Sequence, residues 1–166
     1  PHFTVVDIGA NLGYFSKTFS KLTPKGKLIS IEPILPFYQI LKHFIGSKSN
    51  VTIYNNALGK EKGLITMVLP ESNGMIRTGL PHIAESEEEK SLHKTSEVEI
   101  VKGSELLKDL ESIDYIKCDI EGYELTVFEE IRPLIEKNHP IIQIEIDQQN
   151  ESAMMTYFQE LGYIQY

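Results

Sequence analysis

The sequence predicts an α/β fold of Rossmann-like type, a three-layer sandwich in which a mostly parallel sheet is covered by helices on both faces. Three observations lead there: short β-branched runs alternate with segments of helical period, the connections between them are short, and acidic residues stand at the ends of several runs.

The first 58 residues read β-α-β-α-β. "FTVVDIG" is a β-branched run ending in Asp and Gly, and "NLGYFSKTFSKL" follows it with apolar residues at helical spacing. After the turn "TPKG", "GKLISIEP" repeats the strand pattern, and "LPFYQILKHFI" gives a helix with Pro36 in its first turn. "NVTIYNNAL" is the third strand. "GLITMVLP" and "KTSEVEIV" are strands separated by a polar, turn-rich stretch carrying Glu87, Glu88 and Glu89, which suits either a lid or a surface loop. "GSELLKDLESI" predicts a short helix, "DYIKCDIEGYE" a strand ending in acids, and "LTVFEEIRPLIEKN" a helix that Pro133 shortens or bends. "HPIIQIEID" is another strand, "NESAMMTYFQELGY" a helix with Asn150 as its cap and Gly162 as its stop, and "YIQY" the start of a last strand.

The chain of 166 residues is expected to form a single domain over residues 1–166, with a variable insertion around residues 70–94. Apolar residues at 41% and charged ones at 24% give a globular balance, and a formal charge of −8 argues against a nucleic-acid partner. Cys118 is the sole cysteine, so neither an internal disulfide nor a cysteine zinc cluster is available, and no two of the five histidines have helical zinc spacing. Cys118 falls on an apolar strand and reads as a small core residue. There is neither a signal peptide nor an apolar run near membrane-spanning length, so no membrane partner and a cytoplasmic location are expected. The chain reads as truncated at both ends, and it carries no signal for an oligomeric state.

Ligands of open parallel sheets bind outside the carboxyl ends of the strands, where strand order reverses. Asp7, Glu32, Asp119 with Glu121, and Glu145 with Asp147 all stand at such ends. One such acid is usually a cap or turn residue; four ends converging on one edge point to a site. The glycines of "VVDIGANLGYF" lack the G-x-G-x-x-G spacing of a dinucleotide fingerprint, and neither "GKEKGL" nor "GSKSN" is a P-loop. Asp7 ahead of the turn repels a pyrophosphate and attracts an ammonium or sulfonium group. Glu32 can accept hydrogen bonds from both hydroxyls of a ribose, Gly9 lets backbone approach a ligand, Gly13 allows close packing of helix on strand, and Asn56 with Ala57 lies where an adenine can rest. The outline is a nucleoside with a cationic amino-acid tail, which describes S-adenosyl-L-methionine better than NAD. An unliganded βαβ turn is the bland alternative.

The segments "VVDIGANLGYFS", "ISIEP", "NNALG", "IDYIKCDIEGYE", "PIIQIEI" and "LGY" together resemble, in order and rough spacing, the FkbM-type S-adenosylmethionine-dependent methyltransferases. The resemblance covers nearly the whole chain and rests most on "DIGANLGYFS" and "IKCDIEGYE". It implies the class I methyltransferase sandwich and methylation of a hydroxyl oxygen on a sugar, glycan or small-molecule natural product. Carried over by position, Asp7, Gly9, Asn11, Gly13, Tyr14 and Phe15 match the cofactor loop and its aromatic flank. Glu32 matches the ribose-binding acid, Asn56 and Ala57 the adenine segment, and Asp119 the acid facing the methionine part. Glu121, Gly122 and Glu124 complete the "DIEGYE" signature, serving either substrate positioning or the turn itself. The family's Leu-Asp pair after the strand matching "VEIV" is replaced by "GSELLKDL", its upstream helices are missing, and at most one strand of the terminal hairpin is present.

Methyl transfer to an alcohol needs aligned reactants, excluded water and a route for the hydroxyl proton. Asp119, Glu121 and Glu145 are the candidate catalytic carboxylates, with Glu145 or Glu121 favoured as base because Asp119 is wanted beside the cofactor. No metal is assigned, although Asp119, Glu145 and Asp147 offer hard oxygen ligands of the kind magnesium takes. His82 and His93 are further candidate bases that read more simply as exposed loop residues, and Tyr123 either stacks on substrate or packs. Two rival functions stay open: a non-catalytic methyltransferase-like binding domain, and an NAD-dependent oxidoreductase.

Overall fold

The computed structural model describes residues 2–84 and 86–165. The chain opens with β1 (Thr4–Ile8), α1 (Tyr14–Leu22), β2 (Lys27–Ile31), α2 (Leu35–Ile45) and β3 (Val51–Tyr54). Next come β4 (Ala57–Leu58), β5 (Gly63–Leu69), β6 (Glu71–Ser72), β7 (Met75–Ile76), β8 (His82–Ile83), α3 (Glu87–Leu92) and β9 (Lys94–Val101). The last third holds α4 (Gly103–Leu106), β10 (Tyr115–Cys118), α5 (Glu124–Glu130), α6 (Arg132–Asn138), β11 (Ile141–Ile144) and α7 (Glu151–Glu160).

Five strands form the central sheet in the order β11-β10-β1-β2-β3, and every pairing is parallel. The chain moves outward from β1 to β3 and then returns to the other side of β1, so strand order reverses between β1 and β10. All five residues of β1 are buried, as a strand covered on both faces requires. Alternation divides them: Val5 joins Leu28, Leu41 and Ile45 on the side of α1 and α2, while Val6 and Ile8 join Ile116, Val127, Phe128, Ile135 and Met154 on the side of α5 to α7. These two clusters are the outer seams of the three-layer sandwich.

A second sheet, in the order β4-β9-β5-β8, lies beside the first. Its strands β5 and β9 pair antiparallel over seven positions, and Met67, Leu69 and Val98 pack on Ile34 and Phe37 at the start of α2. The expected third strand therefore divides. Val51–Tyr54 stays in the main sheet, whereas Ala57–Leu58 pairs with β9. Asn55 marks the corner: its Nδ2 donates to Glu32 O at 2.9 Å and Pro33 O at 2.8 Å, turning the chain out of the sheet.

Several local expectations are refined. The stretch after β5 is not an unstructured loop but holds the β6-β7 hairpin, β8 and α3. In α3 the Ser86 side chain accepts from Glu89 N at 3.1 Å, and the three glutamates fill the first turn, where the helix dipole favours acids. Pro133 does more than bend a helix: α5 ends and α6 begins at Ile131, with the proline in the first turn of α6. Asn150 occupies the N-cap position of α7, but its side chain makes no cap bond and donates instead to Gly122 O at 3.2 Å. Gly162 ends α7 in the left-handed region, residues 163–165 form no strand, and Tyr166 lies outside the described residues.

Candidate functional site

The carboxyl ends of β1, β2 and β10 open on a cleft at the strand-order reversal. Its floor is Ile8, Gly9 and Asn11 from the first turn, with Ile31 and Glu32 from the second. One wall is apolar, built from Ile34, Phe37, Leu58, Met67 and Ile83; the other end holds Asp119, Glu121 and Tyr123 under Gly79 and Pro81.

The glycine turn is shaped by contacts no side chain could tolerate. Gly9 has φ +74°, and a Cβ there would lie 1.9 Å from Asp119 O, so the turn after β1 rests directly on the backbone after β10. Gly13 has φ +89°, and its Cβ would meet Leu41 Cδ1 at 2.5 Å. The close packing it permits is thus α1 against α2, rather than helix against strand as expected. Asn11, also at positive φ, donates its amide to Glu32 Oε2 at 2.7 Å.

Glu32 is 4% exposed and accepts a second backbone bond, from Ile34 N at 2.8 Å to Oε1. Burial pushes its pKa up to about 7, against the pull of the two amides. Asn55, holding Glu32 O, fixes the backbone beneath it. Asn56 and Ala57 both line the cleft, with the Asn56 amide donating to Glu99 Oε2 at 2.9 Å.

Asp7 does not reach the cleft. It is fully buried, Oδ2 accepts from Ser16 Oγ at 2.5 Å, and Oδ1 lies 3.8 Å from Lys117 Nζ. Ser16 in turn shares a 2.8 Å hydrogen bond with Ser30. Burial raises the Asp7 pKa, and Lys117 and Ser16 oppose the rise. The electrostatic reading of Asp7 as an attractor of ligand cations is therefore corrected: its charge is answered inside the fold. Tyr14 and Phe15 are likewise outside the cleft; Tyr14 is 82% exposed, and the Phe15 ring faces Lys117 Nζ at 5.5 Å.

After β10 the chain turns sharply, with Glu121 at φ +53° and Gly122 at φ +88°. Glu124 holds this turn. It is 2% exposed, and its Oε1 accepts from Ile120 N at 3.1 Å and Gly122 N at 3.2 Å, so this acid of the "DIEGYE" signature serves the turn. Glu121 borders the cleft, and a Cβ on Gly79 would sit 3.9 Å from its Oε1. Burial raises the Glu121 pKa, and the carboxylates of Asp119, Glu145, Asp147 and Glu124 add to the effect. Glu121 and Glu145 are both exposed residues, and what separates them is that Glu145, after β11, lies off the cleft wall. Among the described residues no cluster of three or more His, Cys, Asp or Glu side chains could hold a metal ion. His82 bonds Glu89 Oε1 at 2.6 Å and Leu80 O at 2.9 Å within the insertion, and Cys118 is buried, its thiol pKa raised by desolvation.

The sequence reading overlooked Lys117, Ser16, Asn55 and the apolar wall from the second sheet. Lys117 left a trace, a lysine inside the apolar run "YIKC". Asn55 and Ser16 left none, since their roles depend on pairing across the sheet.

Parallel strands in this order, with an acid after β2 and a cleft at the reversal, define a Rossmann-like α/β domain with its ligand crevice at the carboxyl ends of the strands. A family model described as the methyltransferase FkbM domain matches residues 7–164, and the chain belongs to that family. The cofactor that membership of this family implies is S-adenosyl-L-methionine. A relative, "Methyltransferase sdnD" of Sordaria araneosa, is 25% identical over 150 residues, 74% of this chain; the chain spans 58% of that relative's length. Among solved structures, the precorrin-6y C5,15-methyltransferase of Geobacter metallireducens GS-15 shares the fold, with a TM-score of 0.55 and 15% identity over 98% of this chain and 64% of that one. No helix among the described residues is long and apolar enough to cross a membrane.

The residues present fit the cofactor. Glu32 offers buried carboxylate oxygens with acceptor capacity left after two backbone bonds, which suits a ribose diol, and the apolar wall beside it suits a purine.

Proposed function

We propose that this domain transfers a methyl group from S-adenosyl-L-methionine to a hydroxyl oxygen of a saccharide or small-molecule natural product, with Glu121 as the general base. The observation that carries this reading is the placement of Glu121: an exposed carboxylate on the cleft wall beside Asp119, with its pKa raised by partial desolvation and by neighbouring acids. A carboxylate so placed is more basic than one in water, which favours proton abstraction from an alcohol.

When bound, the cofactor supplies an electrophilic methyl carbon on a sulfonium. Glu32 would hold the ribose above a floor shaped by Asn11 and Gly9, Asn56 and Ala57 would border the adenine, and Asp119 would face the methionine end. Glu121 would accept the proton that the acceptor hydroxyl gives up on methylation. Glu145, off the cleft wall, contributes its field at Glu121 rather than contact. Residues 1–166 act as one domain in this reading, and the insertion around residues 70–94 selects the acceptor through Gly79, Pro81 and Ile83. The charge of −8 makes a polyanionic acceptor such as nucleic acid unfavourable in this reading.

The test is production of S-adenosylhomocysteine from S-adenosylmethionine in the presence of a panel of saccharides, phenols, aliphatic alcohols, amines and carboxylic acids. Turnover confined to hydroxyl acceptors, with the product methylated on oxygen, is expected. Turnover confined to amines or carbon acids refutes the oxygen assignment.

A further inference from the structure

Lys117 is a lysine on an inner strand, where an unpaired charge is strongly disfavoured. Its strand β10 is hydrogen-bonded on both sides, and its side chain is 6% exposed. Register places it directly beside Asp7 on β1, on the sheet face that α1 covers. Its Nζ donates to Gly9 O at 3.0 Å and to Asp119 Oδ2 at 3.2 Å, lies 3.8 Å from Asp7 Oδ1, and faces the Phe15 ring.

One ammonium thus touches two pieces of chain that frame the cleft, the glycine turn at Gly9 and the Asp119 carboxylate. Gly9 O is turned inward onto it, while the amides that follow in the turn go to Ile31 O and Glu32 Oε2. Asp119 is at once drawn toward it by a side-chain bond and pressed against Gly9 through its own backbone. We infer that Lys117 is a positioning residue for methyl transfer: it sets the glycine turn and the Asp119 carboxylate in register with each other. Its role is exercised through Gly9 and Asp119, and the inference rests on the proposed cofactor site.

A merely structural lysine would serve only to neutralise Asp7. The two roles separate in the double variant Asp7→Asn/Lys117→Met, which removes both buried charges together but leaves Gly9 O and Asp119 without their donor. The inference expects this variant to fold with a melting temperature close to that of the unmodified chain, to bind S-adenosylhomocysteine about tenfold more weakly or worse, and to lose kcat as well as raise KM for the donor. Binding and kcat within about threefold of the unmodified chain overturn it. A second measurement needs no substitution: lysine-selective NMR of the unmodified protein should show one slowly exchanging ammonium signal that shifts when S-adenosylhomocysteine is added. A slowly exchanging signal that stays in place also overturns the inference. Failure of the unmodified chain to bind S-adenosylhomocysteine in calorimetry overturns the cofactor site itself, and so is distinguished from both.

Discussion

Glu32 offers the sharpest test of the site, because the proposed ligand must change its ionisation. In the protein alone its pKa stands at about 7 instead of 4.5, so keeping it charged costs about 3 kcal/mol relative to water. The sign follows from the direction of the shift. The folded chain favours the protonated acid, so this group's contribution to stability is present below its unfolded pKa and is lost as pH rises through about 7. Ribose hydroxyls donate hydrogen bonds and the donor carries a positive charge, and both favour the carboxylate. If binding returns Glu32 to its ordinary range, affinity at pH 6 is about tenfold lower than at pH 8, since at pH 6 roughly nine chains in ten must first lose a proton. Titration calorimetry with S-adenosylhomocysteine in buffers of different ionisation enthalpy checks this directly, and release of about half a proton per site is expected at pH 7. Glu32→Gln should flatten the pH dependence and weaken binding at pH 8, because its amide nitrogen faces a backbone donor, Asn11 N or Ile34 N. An affinity in the unmodified chain that is constant from pH 6 to pH 8, with no proton release, refutes the reasoning.

Other outcomes follow from neighbouring groups. Gly9→Ala adds a carbon 1.9 Å from Asp119 O at a positive φ, and a loss of several kcal/mol in urea unfolding, on the order of that for a large core defect, is expected. Ser16→Ala removes the hydroxyl donor from Asp7, leaves a buried carboxylate oxygen short of a partner, and should cost about 1–3 kcal/mol by the same measurement. Glu121→Gln should lower kcat by about 10²-fold or more with little change in S-adenosylhomocysteine affinity. In the unmodified enzyme, the acid limb of the kcat profile should fall off above the pH range of an ordinary carboxylate, because the Glu121 pKa is raised and the ionised form is the active one.

The strand and helix order of the main sheet was legible because each strand is bounded by turn residues and carries its apolar run in one piece. The acids at the strand ends were legible for the same reason: position along the chain gives position along the strand. What escaped the sequence was direction. Asp7 and Glu32 look alike on paper, each an acid near a strand end, yet Asp7 belongs to the strand itself, where alternation turns it under α1 toward Lys117, while Glu32 lies one residue beyond its strand. Glu121 and Glu124 are similarly alike in sequence, but only the turn after β10 decides which faces the cleft and which fastens the loop. The second sheet was hidden at Asn55, since a run reading "VTIYNNAL" gives no sign that an amide will hold the preceding acid's carbonyl and redirect the strand.

The cleft has walls from two sheets with separate hydrogen-bond ladders, and this division has a use. Gly9, Glu32 and Asp119 hang from the parallel sheet, while Met67, Ile83 and the loop bearing Gly79 and Pro81 hang from the β5-β9 pair or the segment beside it. The insertion from β6 to α3 leaves and re-enters the fold through two strands already zipped over seven positions, which makes their far end a natural splice point. A graft of that insertion from a relative meets the host mainly along β5 and β9, with Ile83 as the point where the grafted segment also enters the apolar wall.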